Sequence, residues 1–230
     1  MKIISIIGTK DTGKTTLVTR LVEKLSQKGY SVGTMKFSHV HFDLADKDTG
    51  KHRQAGAKIV VGTGKETFIL WDHPLDVENV ISTIESYDEI DFLVMEGFKS
   101  SRFAKISVSS LKDNYTIRQV DVKKLNDEKM DELVEIIEKR SYGLLQDLNC
   151  KKCGFESCAD FSQAKLQGLA PEVDCKSQFK QALLEVNGKR IPLNPFVQNI
   201  IAKTITGMIN SLDKDSDDID TIKIVLHNKD

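Results

Sequence analysis

Lys2-Ile3-Ile4-Ser5-Ile6-Ile7-Gly8-Thr9-Lys10-Asp11-Thr12-Gly13-Lys14-Thr15-Thr16 opens the chain, and its reading decides the fold. Lys2 to Ile7 is a short β-branched run with no helical period, as a buried strand requires. Gly8 to Thr15 then matches G-x-x-x-x-G-K-[ST]. Its glycines let backbone N–H groups turn inward around phosphate oxygens. The helix expected from Lys14 to Lys28 aims its positive dipole end at the same charge. Leu17, Val18, Leu21, Val22 and Leu25 recur at three and four along that helix, and Gly29 stands where a helix stops. The spacing assigns Gly8, Thr9, Lys10, Asp11, Thr12, Gly13, Lys14, Thr15 and Thr16 to a triphosphate. Lys14 would reach the β- and γ-phosphates, and the Thr15 hydroxyl would bind Mg²⁺.

Working outward, Ser31–Met35 reads as a second strand and 36–50, rich in His and Asp, as a loop. Ala57–Val61 and Thr67–Trp71 read as a strand pair around Gly62 and Gly64. Val77–Ile84 is helical in pattern, Phe92–Met95 and Ala104–Val108 are strands, and Lys129–Lys139 is an amphipathic helix. Strands alternating with helices predict an α/β domain with a mostly parallel sheet over residues 1–142. A cysteine segment at 145–180 forms a second unit. The third, 181–230, holds a hairpin around Asn187-Gly188 and a helix from Pro195 to Leu212. In that helix Val197, Ile200, Ile201, Ile205, Met208, Ile209 and Leu212 share a face. Asp213–Asp220 reads as an acidic linker and Thr221–Leu226 as a last strand.

The chain has 230 residues and a formal net charge of −1. That balance points to neither nucleic acid nor an anionic membrane. No apolar run approaches the roughly 20 residues that span a bilayer, and Met1 to Ile7 is too short for a signal-peptide core, so a cytoplasmic protein is expected.

A triphosphate site needs an acid for Mg²⁺ at the carboxyl end of a neighbouring strand. Asp91 and Glu96 bracket Phe92-Leu93-Val94-Met95, and Glu96 is at that end; Asp91, about 16 Å back along an extended chain, reads as a surface residue. His39, His41 and His52 lie in or beside the polar loop with Asp43 and Asp46. They suit solvated positions better than a metal site, although His39 and His41 would share a face if they lay in a strand. No Asn-Lys-x-Asp is present, so the physical motifs leave the base undecided.

All four cysteines, Cys150, Cys153, Cys158 and Cys175, fall in one short segment, and residues 1–149 have none. In a reducing compartment such clustering points to metal rather than disulfides. The spacing C-x2-C-x4-C-x16-C suits a [4Fe–4S] cluster, with three ligands from one loop and Cys175 closing the fourth. Tetrahedral Zn²⁺ is the alternative.

Taken together, the phosphate loop with Thr16, Lys36-Phe37-Ser38-His39-Val40-His41-Phe42-Asp43, Lys47-Asp48-Thr49, His52-Arg53-Gln54-Ala55-Gly56-Ala57 and Val94-Met95-Glu96-Gly97-Phe98-Lys99 resemble the MobB family over about residues 1–140. These are adaptor proteins of molybdopterin-guanine dinucleotide biosynthesis. The resemblance implies a P-loop fold, a homodimer, GTP as the nucleotide, weak intrinsic hydrolysis, and partnership with the molybdenum cofactor guanylyltransferase. It places the nucleotide on Gly8 to Thr16 and the metal-binding acid on Glu96. Asn149 to Phe161 resembles the four-cysteine iron–sulfur domain of the corrinoid iron–sulfur protein and of Rnf-type subunits. The combination reads as a GTP-binding adaptor in molybdenum or tungsten cofactor assembly, at most a slow GTPase, fused to a cluster domain. The alternative is an enzyme that couples nucleotide hydrolysis to electron or cluster transfer. A small-molecule kinase is a weaker third reading, because the six arginines are scattered.

Overall fold

The computed structural model describes residues 1–42, 47–87, 89–178, 181–213 and 218–227. Its centre is a five-stranded parallel sheet of β1 (Lys2–Ile7), β2 (Val32–Lys36), β5 (Phe92–Glu96), β6 (Ala104–Ser107) and β7 (Thr116–Gln119), in the order β2-β5-β1-β6-β7. The central strands are apolar runs because both their faces are covered: Ile3, Ile4, Ile6, Leu93, Val94, Met95 and Ile106 are all sealed from solvent. Helix α1 (Lys14–Gln27) lays Leu17, Val18, Leu21 and Leu25 on the sheet. Helix α4 (Asp127–Arg140) packs beside it through Met130, Leu133, Val134 and Ile137. Asn126 caps α4, its side chain accepting from the Lys129 N–H at 3.0 Å.

Helix α2 (Asp48–Gln54) follows the described part of the polar loop, β3 (Ile59–Thr63) and β4 (Thr67–Trp71) form a separate antiparallel pair, and α3 (Val77–Tyr87) precedes β5. The expected loop over 36–50 is therefore shorter than read: Lys36 ends β2, and Asp48 starts α2 as an acid in the first turn.

After α4 the chain bridges back to β1 at Tyr142 and enters the cysteine segment. Helix α5 (Cys158–Gln167) is capped by Ser157, whose side chain accepts from the Asp160 N–H, and stops at Gly168 in a left-handed conformation (φ 76°). Phe161, Leu166 and Cys175 belong to the same buried cluster as the sheet. The hairpin of β8 (Leu184–Val186) and β9 (Lys189–Ile191) turns at Asn187 (φ 52°) and Gly188 (φ 72°), two positive φ angles as a tight hairpin demands. Asn194 caps α6 (Pro195–Asn210), with Pro195 opening the helix as expected.

Two expectations fail at the carboxyl end. Residues 221–227 form no strand, and Ile224, Val225 and Leu226 are exposed; β propensity alone makes no strand without a partner edge. The apolar face expected on α6 is not a buried one: Val197, Ile201, Ile205 and Ile209 are half-buried, and Ile200, Met208 and Leu212 lie further out. They are exposed, and the only fully buried side chain of α6 is the polar Gln198.

Candidate functional site

The segment Gly8–Gly13 leaves β1 at the carboxyl edge of the sheet and turns into α1 through two left-handed residues, Asp11 (φ 58°) and Gly13 (φ 87°). Gly8 has no room for a side chain: a Cβ there would come within 2.7 Å of Thr12 Oγ1 and of a Val108 methyl. Gly13, the helix cap, supplies no side-chain cap, and the first turn carries no acid. The first N–H groups of α1 are left for an anion from outside. Thr9, Lys10, Asp11, Thr15 and Thr16 are exposed around this loop, while Thr12, Gly13 and Lys14 are partly buried. The Lys14 ammonium donates to the Thr9 carbonyl at 2.5 Å, and the Thr12 hydroxyl donates to the same oxygen at 2.9 Å. Lys14 therefore lies back over the loop it would share with a phosphate.

Register brings the acid to this point. Ile6 of β1 and Lys36 of β2 both pair with Glu96, the last residue of β5. The Thr15 hydroxyl lies 3.0 Å from both oxygens of the Glu96 carboxylate, donating to it, and Lys36 Nζ lies 3.5 Å from one of them. The Thr15 hydroxyl, the Glu96 carboxylate and the Lys36 ammonium thus meet beside the N-terminus of α1, with Lys14 on the Thr9 carbonyl of the adjoining loop. Asp91 sits at the opposite end of β5, where its carboxylate accepts from the Ser31 N–H at 2.9 Å. Among the described residues the histidines make no contact with this group: His39 lies edge-on against Phe37 at 4.8 Å, and His41 and His52 are exposed. Asp43 and Asp46 lie outside the described residues.

The cysteine loop winds through left-handed residues at Asp147, Asn149, Lys151 and Gly154. Asn149 is a local organiser that spacing did not reveal: its side chain accepts from the Cys158 N–H at 2.8 Å, pinning the start of α5 to the loop. Cys150 Sγ lies 3.0 Å from Ser177 Oγ. No disulfide joins the cysteines, and all four line one narrow cavity. Burial pushes the Cys175 thiol up, and the neighbouring Cys158, Cys153 and Cys150 add to that. Burial also opposes ionisation of Cys150, but the Ser177 and backbone hydrogen bonds outweigh it and hold this thiol below its ordinary value. Four thiols lining one cavity are, by their chemistry, a donor set of the kind that iron–sulfur clusters and zinc take. Among the described residues, no three His, Cys, Asp or Glu side chains are grouped to hold a metal ion. The enclosed space is about 10 Å³, so a group of cluster size would need the exposed turn at Lys151, Lys152 and Gly154 to move outward.

The phosphate loop and the cysteine cavity are joined through packed structure. Arg140, at the end of α4, donates to the Ile117 carbonyl of β7 at 3.3 Å and to the Leu166 carbonyl of α5 at 2.6 Å. Gln146 donates to the Ser177 carbonyl and accepts from the Leu193 N–H at 2.7 Å, so the chain after Cys175 is tied to the loop before Cys150.

Comparison with known proteins adds the following. Residues 3–130 match the profile "Molybdopterin guanine dinucleotide synthesis protein B" (MobB), and residues 145–177 match one described as "Putative Fe-S cluster". A Methanocaldococcus jannaschii protein described as "Putative molybdopterin-guanine dinucleotide biosynthesis adapter protein" is 34% identical over 235 residues, covering 97% of each chain. The "Molybdopterin-guanine dinucleotide biosynthesis adapter protein" of Escherichia coli is 30% identical over 102 residues, 41% of this chain and 58% of that one. A solved MobB homologue from Bacillus stearothermophilus superposes with a TM-score of 0.44 at 17% identity, over 60% of this chain and 99% of the other.

Proposed function

The chain belongs to the MobB family, and on that premise we propose that it is a GTP- and Mg²⁺-binding adaptor that assists the molybdenum cofactor guanylyltransferase in forming molybdopterin guanine dinucleotide. The observation that carries the nucleotide part is the Thr15 hydroxyl on the Glu96 carboxylate at 3.0 Å, beside an uncapped helix N-terminus. Gly8 to Thr16 would hold the phosphates through backbone N–H groups, Lys14 would neutralise the terminal phosphates, and Thr15 and Glu96 would hold Mg²⁺ or its water shell. Mg²⁺ held by Thr15 and Glu96 would supply charge neutralisation to the phosphates. The rest is positioning by the protein: α1 directs its dipole and Lys36 balances Glu96.

Cys150, Cys153, Cys158 and Cys175 would hold a [4Fe–4S] cluster. Support comes from the single cavity they line and from the profile match over 145–177. A homodimer is part of the reading. The β3–β4 hairpin stands outside the main sheet with Ile59, Val61, Phe68 and Trp71 exposed, and such a surface suits burial against another chain. Among the described residues no helix is long and apolar enough to cross a membrane, and the cytoplasm is the compartment we propose.

Anaerobically purified protein tests both halves. Competition titration with GTP and ATP should favour GTP, and Lys14→Ala should abolish triphosphate binding in a folded protein. Equal or tighter ATP binding would sink the base assignment. Iron and sulfide analysis should return four of each per chain, as a [4Fe–4S] cluster demands; one tightly bound zinc in the same preparation would sink the cluster assignment.

A further inference from the structure

Ser177 stands two residues beyond Cys175 and is sealed from solvent, with 2% of its surface exposed. Each of its polar groups has a partner. Its hydroxyl lies 3.0 Å from the Cys150 sulfur. Its N–H donates to the Cys175 sulfur. Its carbonyl accepts from the Gln146 side-chain amide, and the Gln198 amide of α6 lies 3.5 Å from the same oxygen. One serine therefore touches the first and the last of the four cysteines.

The glutamines that hold this carbonyl are themselves held. Gln146 accepts from the Leu193 N–H at 2.7 Å, and Gln198, also buried, donates to the Leu193 carbonyl at 3.0 Å. Leu193 is the buried residue just ahead of Asn194, the cap of α6. The Ser177 backbone is thus fixed both from the loop before Cys150 and from the start of α6. A buried hydroxyl left without a partner costs about 1–3 kcal/mol. Among the described residues the Cys150 sulfur is the partner that the Ser177 hydroxyl has.

That contact sets Cys150 apart. Among the described residues, no side chain hydrogen-bonds to the sulfur of Cys153, Cys158 or Cys175. Between a thiol and a hydroxyl either group can donate. A metal-bound sulfur is a thiolate with no proton to give, which leaves the Ser177 O–H as the donor. Such a donor draws charge off the sulfur. In an iron–sulfur cluster it favours the reduced state, which carries one more negative charge, and so raises the reduction potential. On zinc it orients the ligating thiolate and stabilises it against release.

We infer that Ser177 is the positioning residue of the cysteine site: it joins Cys175 to Cys150 through its own backbone and hydroxyl, and its O–H tunes the bound metal group through the Cys150 sulfur. The inference rests on the reading of the four cysteines as ligands of one metal group, and it applies to either group that such thiols take.

The test uses full-length protein purified without oxygen, as wild type, Ser177→Ala and Ser177→Thr, with iron, zinc and sulfide counted first. In cluster-bearing protein the midpoint potential is measured by EPR-monitored titration. Ser177→Ala should keep its iron and sulfide, and its midpoint should move to more negative potential. At the wild-type midpoint its oxidised-to-reduced ratio should be about fivefold higher, the worth of one ordinary hydrogen bond. Ser177→Thr restores the hydroxyl and should return the ratio to the wild-type value. A proton coupling seen by ENDOR in the reduced wild type, present in H2O and lost in D2O, should be missing from Ser177→Ala; this readout does not need the threonine variant to fold. If the wild type holds zinc instead, the cluster reading falls and metal release decides the inference. Zinc should then pass to a chelator about fivefold faster from Ser177→Ala than from the wild type. A midpoint or a zinc-release rate unchanged in Ser177→Ala would overturn the inference. So would a folded Ser177→Thr that behaves like Ser177→Ala, or a wild type that holds neither metal.

Discussion

Asp91 immediately precedes the five-residue strand β5 and Glu96 ends it, and parallel pairing gives them opposite fates. Glu96 lies beside Ile6 and Lys36 at the carboxyl edge, within 3.0 Å of Thr15. Asp91 caps the far edge by accepting from Ser31. Glu96→Gln should therefore weaken Mg²⁺-dependent triphosphate binding well beyond Asp91→Asn in parallel titrations. If the Asp91 variant loses more, the carboxyl-edge assignment fails. Gly13 makes a second point at this scale. It holds φ 87°, and a Cβ would meet the Val122 side chain at 3.3 Å. Gly13→Ala should cost about 1–2 kcal/mol by chemical denaturation, because a left-handed conformation is forced on an L side chain, and it should weaken the proposed triphosphate binding too. These residues were legible in the sequence because a phosphate loop is a local object: its spacing and its flanking strand and helix lie within thirty residues. Asn149 and Ser177 were not legible. Their parts depend on a chain winding that brings residue 149 to 158 and 177 to 150, and no local pattern encodes that.

At the scale of elements, the carboxyl-terminal hairpin is fixed to α3 by a polar contact rather than by apolar packing. Arg190 of β9 donates to Ser82 at 3.0 Å and lies 3.5 Å from the Glu85 carboxylate, and both charged side chains are largely buried. Burial raises the Glu85 pKa above its ordinary value, and the charge of Arg190 partly restores it. Arg190→Met removes that compensation, so Glu85 should rise further. Folded protein would then hold a proton that the unfolded chain has released, and stability should fall as pH climbs from about the ordinary carboxylate value of 4.5 through the raised one. At neutral pH the loss should be about 3 kcal/mol, that of a buried charge left alone. Denaturation curves at pH 4 and pH 7 check this; a loss equal at both pH values would disprove the coupling. The hairpin itself was legible, since Asn187-Gly188 between two apolar runs specifies its turn chemically. Strand β7 was not, because Thr116–Gln119 has only one buried side chain, Ile117, and takes strand form by pairing with β6. The converse error at 221–226 has the same cause: β-branched residues were present and no strand edge received them.

For the whole molecule, the question is whether the nucleotide and cysteine halves unfold together. Their sequences divide cleanly, yet their cores do not: Phe161, Leu166 and Cys175 share a buried cluster with Ile3, Met130 and Ile137. Tyr142 meets Phe161 edge-on at 6.2 Å, and Phe155 meets it at 5.8 Å. Arg140 clamps α4 to both β7 and α5. Thirty-odd residues around a cluster cannot build an independent core, so this segment borrows the sheet's. Scanning calorimetry of the cluster-bearing protein should accordingly give one cooperative transition for residues up to 178. Loss in air of the proposed cluster should lower that transition without splitting it, because the binding energy of a metal group held there would be coupled to the shared fold. Phe161→Ala supplies the second arm. It deletes the largest fully buried aromatic at the junction and should cost about 3–5 kcal/mol, moving the melting of the nucleotide domain and of the cluster's visible absorbance together. Two separate transitions, with Phe161→Ala shifting the absorbance loss and leaving the nucleotide domain's melting where it was, would mean that the halves are independent units joined by a chain.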